Sequence, residues 1–276
     1  MQPQSLFERI DPRVSPPAHV KLVHDNLEEF QDPANYDLEV LPVSGERIAF
    51  HCEVAARVGG PVLELACGSG IVTLPIARQG LDTTGVDLAA PMLAHAERKA
   101  RQQGLAVRWV HDDAQTVDLR RQFALVVLTG NAFQAFLGDA DQAELLENVA
   151  RHLKPDGWFV FETRNPQGHD LVDSRDEEAW FDYTNTAGRR VTVSGVQTYE
   201  ATTQVLHWTT FRRWHDGHAP RTSTTRVACR FTQFDDLDRR LADQGLVAIE
   251  RYGDWIRTPF DPGRSGSIVS LCRRAR

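Results

Sequence analysis

Cysteine is scarce in this chain: four in 276 residues, at positions 52, 67, 229 and 272, with no C-x-x-C pair among them. That argues against a disulfide scaffold or a zinc cage, so no metal site is expected, and reduced thiols point to the cytoplasm. Lysine is scarcer still, with Lys21, Lys99 and Lys154 the only three among 31 basic residues. No lysine-rich targeting or membrane-surface run exists. Positive charge in excess is lacking too, since 31 Lys+Arg against 38 Asp+Glu leave a net charge of -7. A surface built to hold phosphates usually runs basic, so no nucleic-acid partner is expected. No apolar run approaches the ~20 residues that cross a bilayer. The start, Met-Gln-Pro-Gln-Ser-Leu-Phe-Glu-Arg, lacks the charged and apolar regions of a signal peptide. Neither an internal repeat nor a low-complexity tract is present.

What is present reads as a folded α/β chain. Hydrophobic residues make up 41% and charged residues 25%, enough to bury a core in one α/β domain with an insertion. From residue 60 to about 162, apolar runs alternate with helical patterns. The predicted strands are 62–66, 83–87, 107–110, 123–128 and 158–162. Helices are expected over 71–79, from Pro91 to Gly104, and over 139–153, where Leu145, Leu146, Val149 and Leu153 share a face. Five strands joined by helical crossovers imply a doubly wound, mostly parallel sheet. Two further strands, 246–250 and 267–271, follow a helix over 234–244 and would close it as an antiparallel pair.

Between them the pattern changes. Residues 189–199, 204–214 and 221–231 are rich in Val, Thr and aromatics and are separated by turn sequences, which predicts an inserted three-stranded antiparallel sheet. Seven arginines stand between 189 and 230 against Glu200 and Asp216, a local balance of 7 − 2 = +5. With Tyr199, Trp208, Phe211, Trp214 and Phe231 interleaved, this could be an RNA surface. The preferred reading is a lid whose apolar face covers a small substrate and whose arginines mostly face water. The boundaries follow: 1–45 a proline-containing N-terminal arm with one short helix, 46–164 and 232–276 the core, and 165–231 the β lid.

The chemistry concentrates at the ends of the first three strands. Glu64-Leu65-Ala66-Cys67-Gly68-Ser69-Gly70 gives a glycine turn where a backbone can approach a ligand. Asp87 ends the second strand, where a carboxylate can accept from both hydroxyls of a ribose. Asp112-Asp113-Ala114 follows the third, offering a carboxylate and a backbone N–H to an adenine edge. A dinucleotide G-x-G-x-x-G would need a third glycine where Thr73 stands, and no G-K-[ST] exists for a phosphate loop.

These segments, with Gly85-Val86-Asp87-Leu88, Met92-Leu93 and Leu153-Lys154-Pro155-Asp156-Gly157-Trp158, resemble the ordered motifs of the class I S-adenosylmethionine-dependent methyltransferases over roughly residues 60–162. The resemblance implies a seven-stranded Rossmann-like sheet and S-adenosyl-L-methionine as cofactor. Glu64 and Ala66 would border its methionine end, with Gly68 and Gly70 passing beneath it. Asp87 would take the ribose, Leu88 and Met92 would lie near the adenine, and Asp112 or Asp113 with Ala114 would read its edge. Thr129 would border the reaction centre, and Tyr36 would close over the cofactor. Methyl transfer needs alignment more than a fixed catalytic motif, and no catalytic residue is assigned. Asn131, Arg164 and His169 are placed near the substrate by position alone. The expected reaction is transfer to nitrogen or oxygen of a small-molecule acceptor. The rival readings are an RNA methyltransferase, a nicotinamide-dependent oxidoreductase and a non-catalytic cofactor-binding relative. A homodimer is compatible with all of them.

Overall fold

Unbroken apolar runs suit strands buried on both faces, and they form the centre of the fold. The computed structural model describes residues 22–167, 170–174, 176–217 and 219–275. Two helices precede the sheet, α1 (Pro33–Val40), which has Pro33 in its first turn, and α2 (Gly45–Val58). The parallel strands are β1 (Val62–Leu65), β2 (Thr83–Asp87), β3 (Arg108–His111), β4 (Phe123–Leu128) and β5 (Leu153–Arg164). They alternate with α3 (Thr73–Ala77), α4 (Ala90–Gln102) and α5 (Asp139–His152).

The chain then leaves this sheet for β6 (Glu178–Thr184), β7 (Arg190–Glu200), β8 (Val205–Asp216) and β9 (Ala219–Arg230), all antiparallel. It returns through α6 (Phe234–Asp243), β10 (Leu246–Tyr252) and β11 (Ser267–Arg274). The main sheet has the order β10-β11-β5-β4-β1-β2-β3, with β11 antiparallel to both β5 and β10. One apolar cluster packs on each face, around Phe133, Phe159 and Phe161 on one side and around Phe50, Val160 and Val269 on the other.

Four local features differ from the expectation. The inserted sheet has four strands, not three. The additional strand, β6, is short and mostly exposed, and its Trp180 occupies the space over Gly195, where a Cβ would lie 2.3 Å from the indole. Helix α2 is 14 residues long in a stretch for which no helix was predicted. Its signal was there, since Phe50, Val54 and Val58 recur every fourth residue before Gly59. Strand β5 begins at Leu153, because the Lys154–Gly157 segment bulges between two stretches paired with β4.

The arginines of the insertion are the fourth difference. All seven lie within 4.0 Å of a carboxylate, several of these from outside the 189–230 window. Arg212 and Arg230 are largely buried, with side chains 13% and 11% exposed. The +5 balance of the isolated segment is thus met by Glu28, Glu29 and Glu39 of the N-terminal region, Asp139 of α5, and Glu177 and Asp182 nearby. The 3-10 segment Leu22–Phe30 also covers the outer edge of β9: Asn26 donates to the Ala228 carbonyl (3.0 Å) and accepts from its N–H (2.7 Å). At Arg226 and Ala228 the backbone of this edge strand is therefore satisfied from within the chain.

Candidate active site

Side chains alternate along a strand, so parity and register decide which residues meet. Glu64 of β1 pairs with Gly85 of β2 and with Val127 of β4, and Val127 pairs with Val160 of β5. Two residues on from the partners lie Asp87, Thr129 and Glu162. Glu64, Asp87, Thr129 and Glu162 therefore share the α2 face, at the carboxyl ends of four adjacent strands. They flank the place between β1 and β4 where the strand order reverses, the position at which open α/β sheets hold ligands.

Asp87 organises the glycine turn. Its Oδ2 accepts from Gly68 N–H (2.6 Å) and its Oδ1 from Ala89 N–H (2.8 Å), leaving one lone-pair direction on each oxygen. Burial raises its pKa, and those backbone donors work against the rise. Gly68 sits at φ +54° with nothing within 4 Å of where a Cβ would be, an open cradle above the loop. Gly70 differs: its Cβ direction meets Trp109 at 3.1 Å and Ala96 at 3.3 Å, so it serves helix–sheet packing and does not face the cleft. Cys67 is buried, and burial beside Asp87 and Glu64 pushes its thiol well up, which makes it unreactive.

Glu64 is fully buried, with Thr73 Oγ1 donating to Oε2 and Thr129 Oγ1 to Oε1 (2.7 Å). Burial pushes its carboxyl up to about 7, the two hydroxyls acting in the opposite direction. Ala66 is half-buried at φ +51°. At the end of β3, Asp113 Oδ1 accepts from Gln115 N–H (2.9 Å) and Asp112 Oδ1 from Asp113 N–H (2.8 Å). Both acids thus keep a free oxygen, and the Ala114 N–H has no partner among the described residues. Leu88 is half-buried, its carbonyl paired with His111 Nε2 (2.9 Å), while Met92 is 1% exposed and packs into the interior of α4.

Tyr36, on α1, stacks edge-on against Phe30 with centroids 5.7 Å apart. Burial, with the charges of Glu29, Asp37 and Asp87 behind it, pushes its phenol up to about 12 against the pull of Arg47. Of the residues placed near the substrate by position, Asn131 follows β4 at φ +58° and donates its N–H to Glu162 Oε1 (3.2 Å). Arg164 ends β5, lies over Trp208 (5.3 Å) and lines a cavity of about 470 Å³ with Asn165, Phe231 and Phe234. His169 lies outside the described residues. A second cavity of about 600 Å³ opens at the opposite, amino ends of β4 and β5, away from these groups.

Two parts of the site carried no prediction. Glu162 is 1% exposed; its Oε1 accepts from Gly130 N–H (2.6 Å), and Arg47 Nε stands 3.6 Å away. Burial pushes its carboxyl up to about 7, with Arg47 opposing. A lone acid at the end of the apolar run Trp158–Phe161 was the available signal. Asp37 is the other. It accepts from Ser69 Oγ in the glycine turn and from Lys99 Nζ (2.6 Å), and it pairs with His95 Nε2 (3.0 Å), both on α4. No sequence spacing links it to residues 32 to 62 positions away.

Residues 62–157 match the family described as a methyltransferase domain. Those residues, and not the whole chain, carry the likeness to that family. The rat glycine N-methyltransferase is 34% identical to it over 118 residues, 38% of this chain and 40% of that protein. The chain spans 40–43% of the length of curated relatives of this kind. Among solved structures, the CcbJ methyltransferase of Streptomyces caelestis superposes with a TM-score of 0.77 at 24% identity, covering 91% of this chain and all (100%) of that one. The S-adenosylmethionine-bound amino pentose methyltransferase CalS10 of Micromonospora echinaspora gives 0.69 at 20%, covering 87% and 97%. Those two likenesses extend beyond the methyltransferase domain to most of the chain, and they concern its fold. No helix among the described residues is long and apolar enough to cross a membrane.

Proposed function

We propose that this protein is an S-adenosylmethionine-dependent methyltransferase acting on a small molecule, with residues 165–231 and the N-terminal arm forming a lid over the core. The observation that carries this reading is the placement of Glu64, Asp87, Thr129 and Glu162 on one face beside an open glycine turn. The residues fit the cofactor. Asp87 has a free lone pair on each oxygen for the two ribose hydroxyls, Ala114 N–H with Asp112 or Asp113 suits an adenine edge, and Gly68 leaves room for the chain between them. Glu64 and Thr129 would stand at the methionine end, and Tyr36 would cover it.

The bound sulfonium would supply an already activated methyl group. The protein's work is then to align the acceptor, exclude water and hold any proton that must leave. The four cysteines are all free thiols, which suits a reducing compartment such as the cytoplasm.

The test is calorimetric titration with S-adenosylmethionine. One site per chain is expected, and Asp87→Ala should cost about 2–4 kcal/mol of binding through two lost charge-assisted hydrogen bonds. Unchanged affinity in that variant would refute the ribose assignment.

A further inference from the structure

We propose that the acceptor is an amine and that Glu162 is the group that receives its nitrogen and takes its proton. This rests on the methyltransferase reading above. Its ground is an imbalance in hydrogen bonding. Buried polar atoms are nearly always partnered, yet Glu162 Oε2 is buried without any hydrogen-bond partner in the described protein, and so is Arg47 Nε beside it. Oε1 is occupied by the N–H groups of Gly130 and Asn131, which fixes the carboxylate on the cleft face, level with Thr129 across from β4. One oxygen is therefore held and the other is spare.

A spare carboxylate oxygen is an acceptor only, so it selects a group that donates. An ammonium or amine donates, carries the complementary charge and has a proton to lose. A hydroxyl could donate as well, but it brings no positive charge to Oε2, whereas Arg47 stands 3.6 Å from the other oxygen, Oε1. Burial supports the second half of the role, because it raises the carboxyl towards neutrality, where it can accept a proton from an ammonium and later release it. Arg47 from α2 and Glu64 from β1 are the charged groups that face Glu162, and their opposite signs keep it near that point.

The step balances. The acceptor ammonium passes one proton to Glu162 Oε2, and its nitrogen lone pair is freed. That pair forms the new N–C bond to the methyl carbon as the C–S bond breaks, its electrons remaining on sulfur as a neutral thioether. The product leaves as a methylated ammonium, and the carboxyl proton returns to solvent.

The probe need not be the acceptor. Sinefungin carries a C–NH₃⁺ where the donor carries S⁺–CH₃, so it aims an ammonium at the position the methyl group would occupy, and S-adenosylhomocysteine has neither. Calorimetry with these two ligands, on the full chain, measures that position without turnover. In the wild type, sinefungin should bind on the order of tenfold to a hundredfold more tightly than S-adenosylhomocysteine. In Glu162→Gln the amide oxygen can still accept from Gly130 and Asn131, so a single cooperative unfolding transition and the S-adenosylhomocysteine affinity should be kept while the preference drops towards one. A preference of equal size in both proteins overturns the assignment of Glu162. A second measurement needs no variant. The wild-type preference should rise between about pH 6 and about pH 8 as the carboxylate ionises, and a flat or falling preference also overturns it. If neither ligand binds the wild type, the cofactor reading itself is wrong, and the proposal falls with it.

Discussion

Glu64 and Glu162 illustrate how much one buried proton can matter. Unfolded, each would titrate near 4.5, and folded, each is pushed up to about 7 by burial. A carboxyl raised on folding stabilises the fold while protonated, so this contribution is complete below about 4.5 and is lost as pH passes about 7. Thermal melting of the ligand-free protein should therefore show a fall across that window that is flattened in the Glu64→Gln/Glu162→Gln variant. Parallel pH profiles for the two proteins would contradict it. Two glycines make the same point sterically. A Cβ at Gly85 would come within 2.7 Å of Trp109 and 2.9 Å of Cys67 Sγ, so Gly85→Ala should destabilise the fold by about 1–3 kcal/mol through overpacking. Gly68→Ala meets nothing in the protein, and its cost is about 1–2 kcal/mol of left-handed backbone strain. Its distinguishing effect should be on ligand affinity, measured by calorimetry on the folded variant.

Among the elements, α1 is the one that ties the molecule together. Residues 37 and 39 point about 200° apart around a helix. Asp37 accordingly faces the core, held by Ser69, His95 and Lys99, while Glu39 faces the inserted sheet, where Arg212 donates to it at 2.7 and 2.8 Å. Tyr36 is carried between these two anchorages. Arg212 also reaches Glu29 and Thr225, so Arg212→Ala would leave two acids facing each other without their cation. The expected cost is about 3–5 kcal/mol, a drop of several degrees in melting temperature. Arg221→Ala removes an exposed pair at 4.0 Å and should cost less than about 1 kcal/mol. Equal effects of the two substitutions would mean that the buried cluster is no clasp.

For the molecule as a whole, the question is whether a polymer could be its acceptor. An RNA surface needs free cations. Neutralising six or more phosphates would weaken binding by roughly a thousandfold between 50 and 200 mM salt. Here the insertion's arginines are matched with carboxylates, Arg212 in a buried cluster and Arg230 through a buried guanidinium. Filter or fluorescence binding to single-stranded RNA over a salt series should therefore show weak association without a steep slope. Tight, steeply salt-dependent binding would move the acceptor from a small molecule to RNA. Arg221 and Arg226, both exposed, are the residues to substitute in that comparison, because changing Arg212 would confuse lost binding with lost folding.

The sequence by itself determined the parallel core. Strands β1 and β4 are runs of mostly apolar residues, glycines mark the turns, and acids stand at the strand ends. These are local signals of period and composition, legible without contacts. Glu64, Gly68, Asp87, Asp113 and Thr129 were readable because they lie in or beside those signals. Only the tertiary structure decided what is paired across long separations. Glu162 became part of the site through strand register, Arg47 through the docking of α2, and Asp37 through a contact with Lys99, 62 residues away. Strand β6 escaped notice because an exposed strand has no buried face to impose alternation. The inserted arginines looked like a basic surface because net charge was summed along the chain, whereas electrostatic energy depends on distance in space, and there their partners come from other segments.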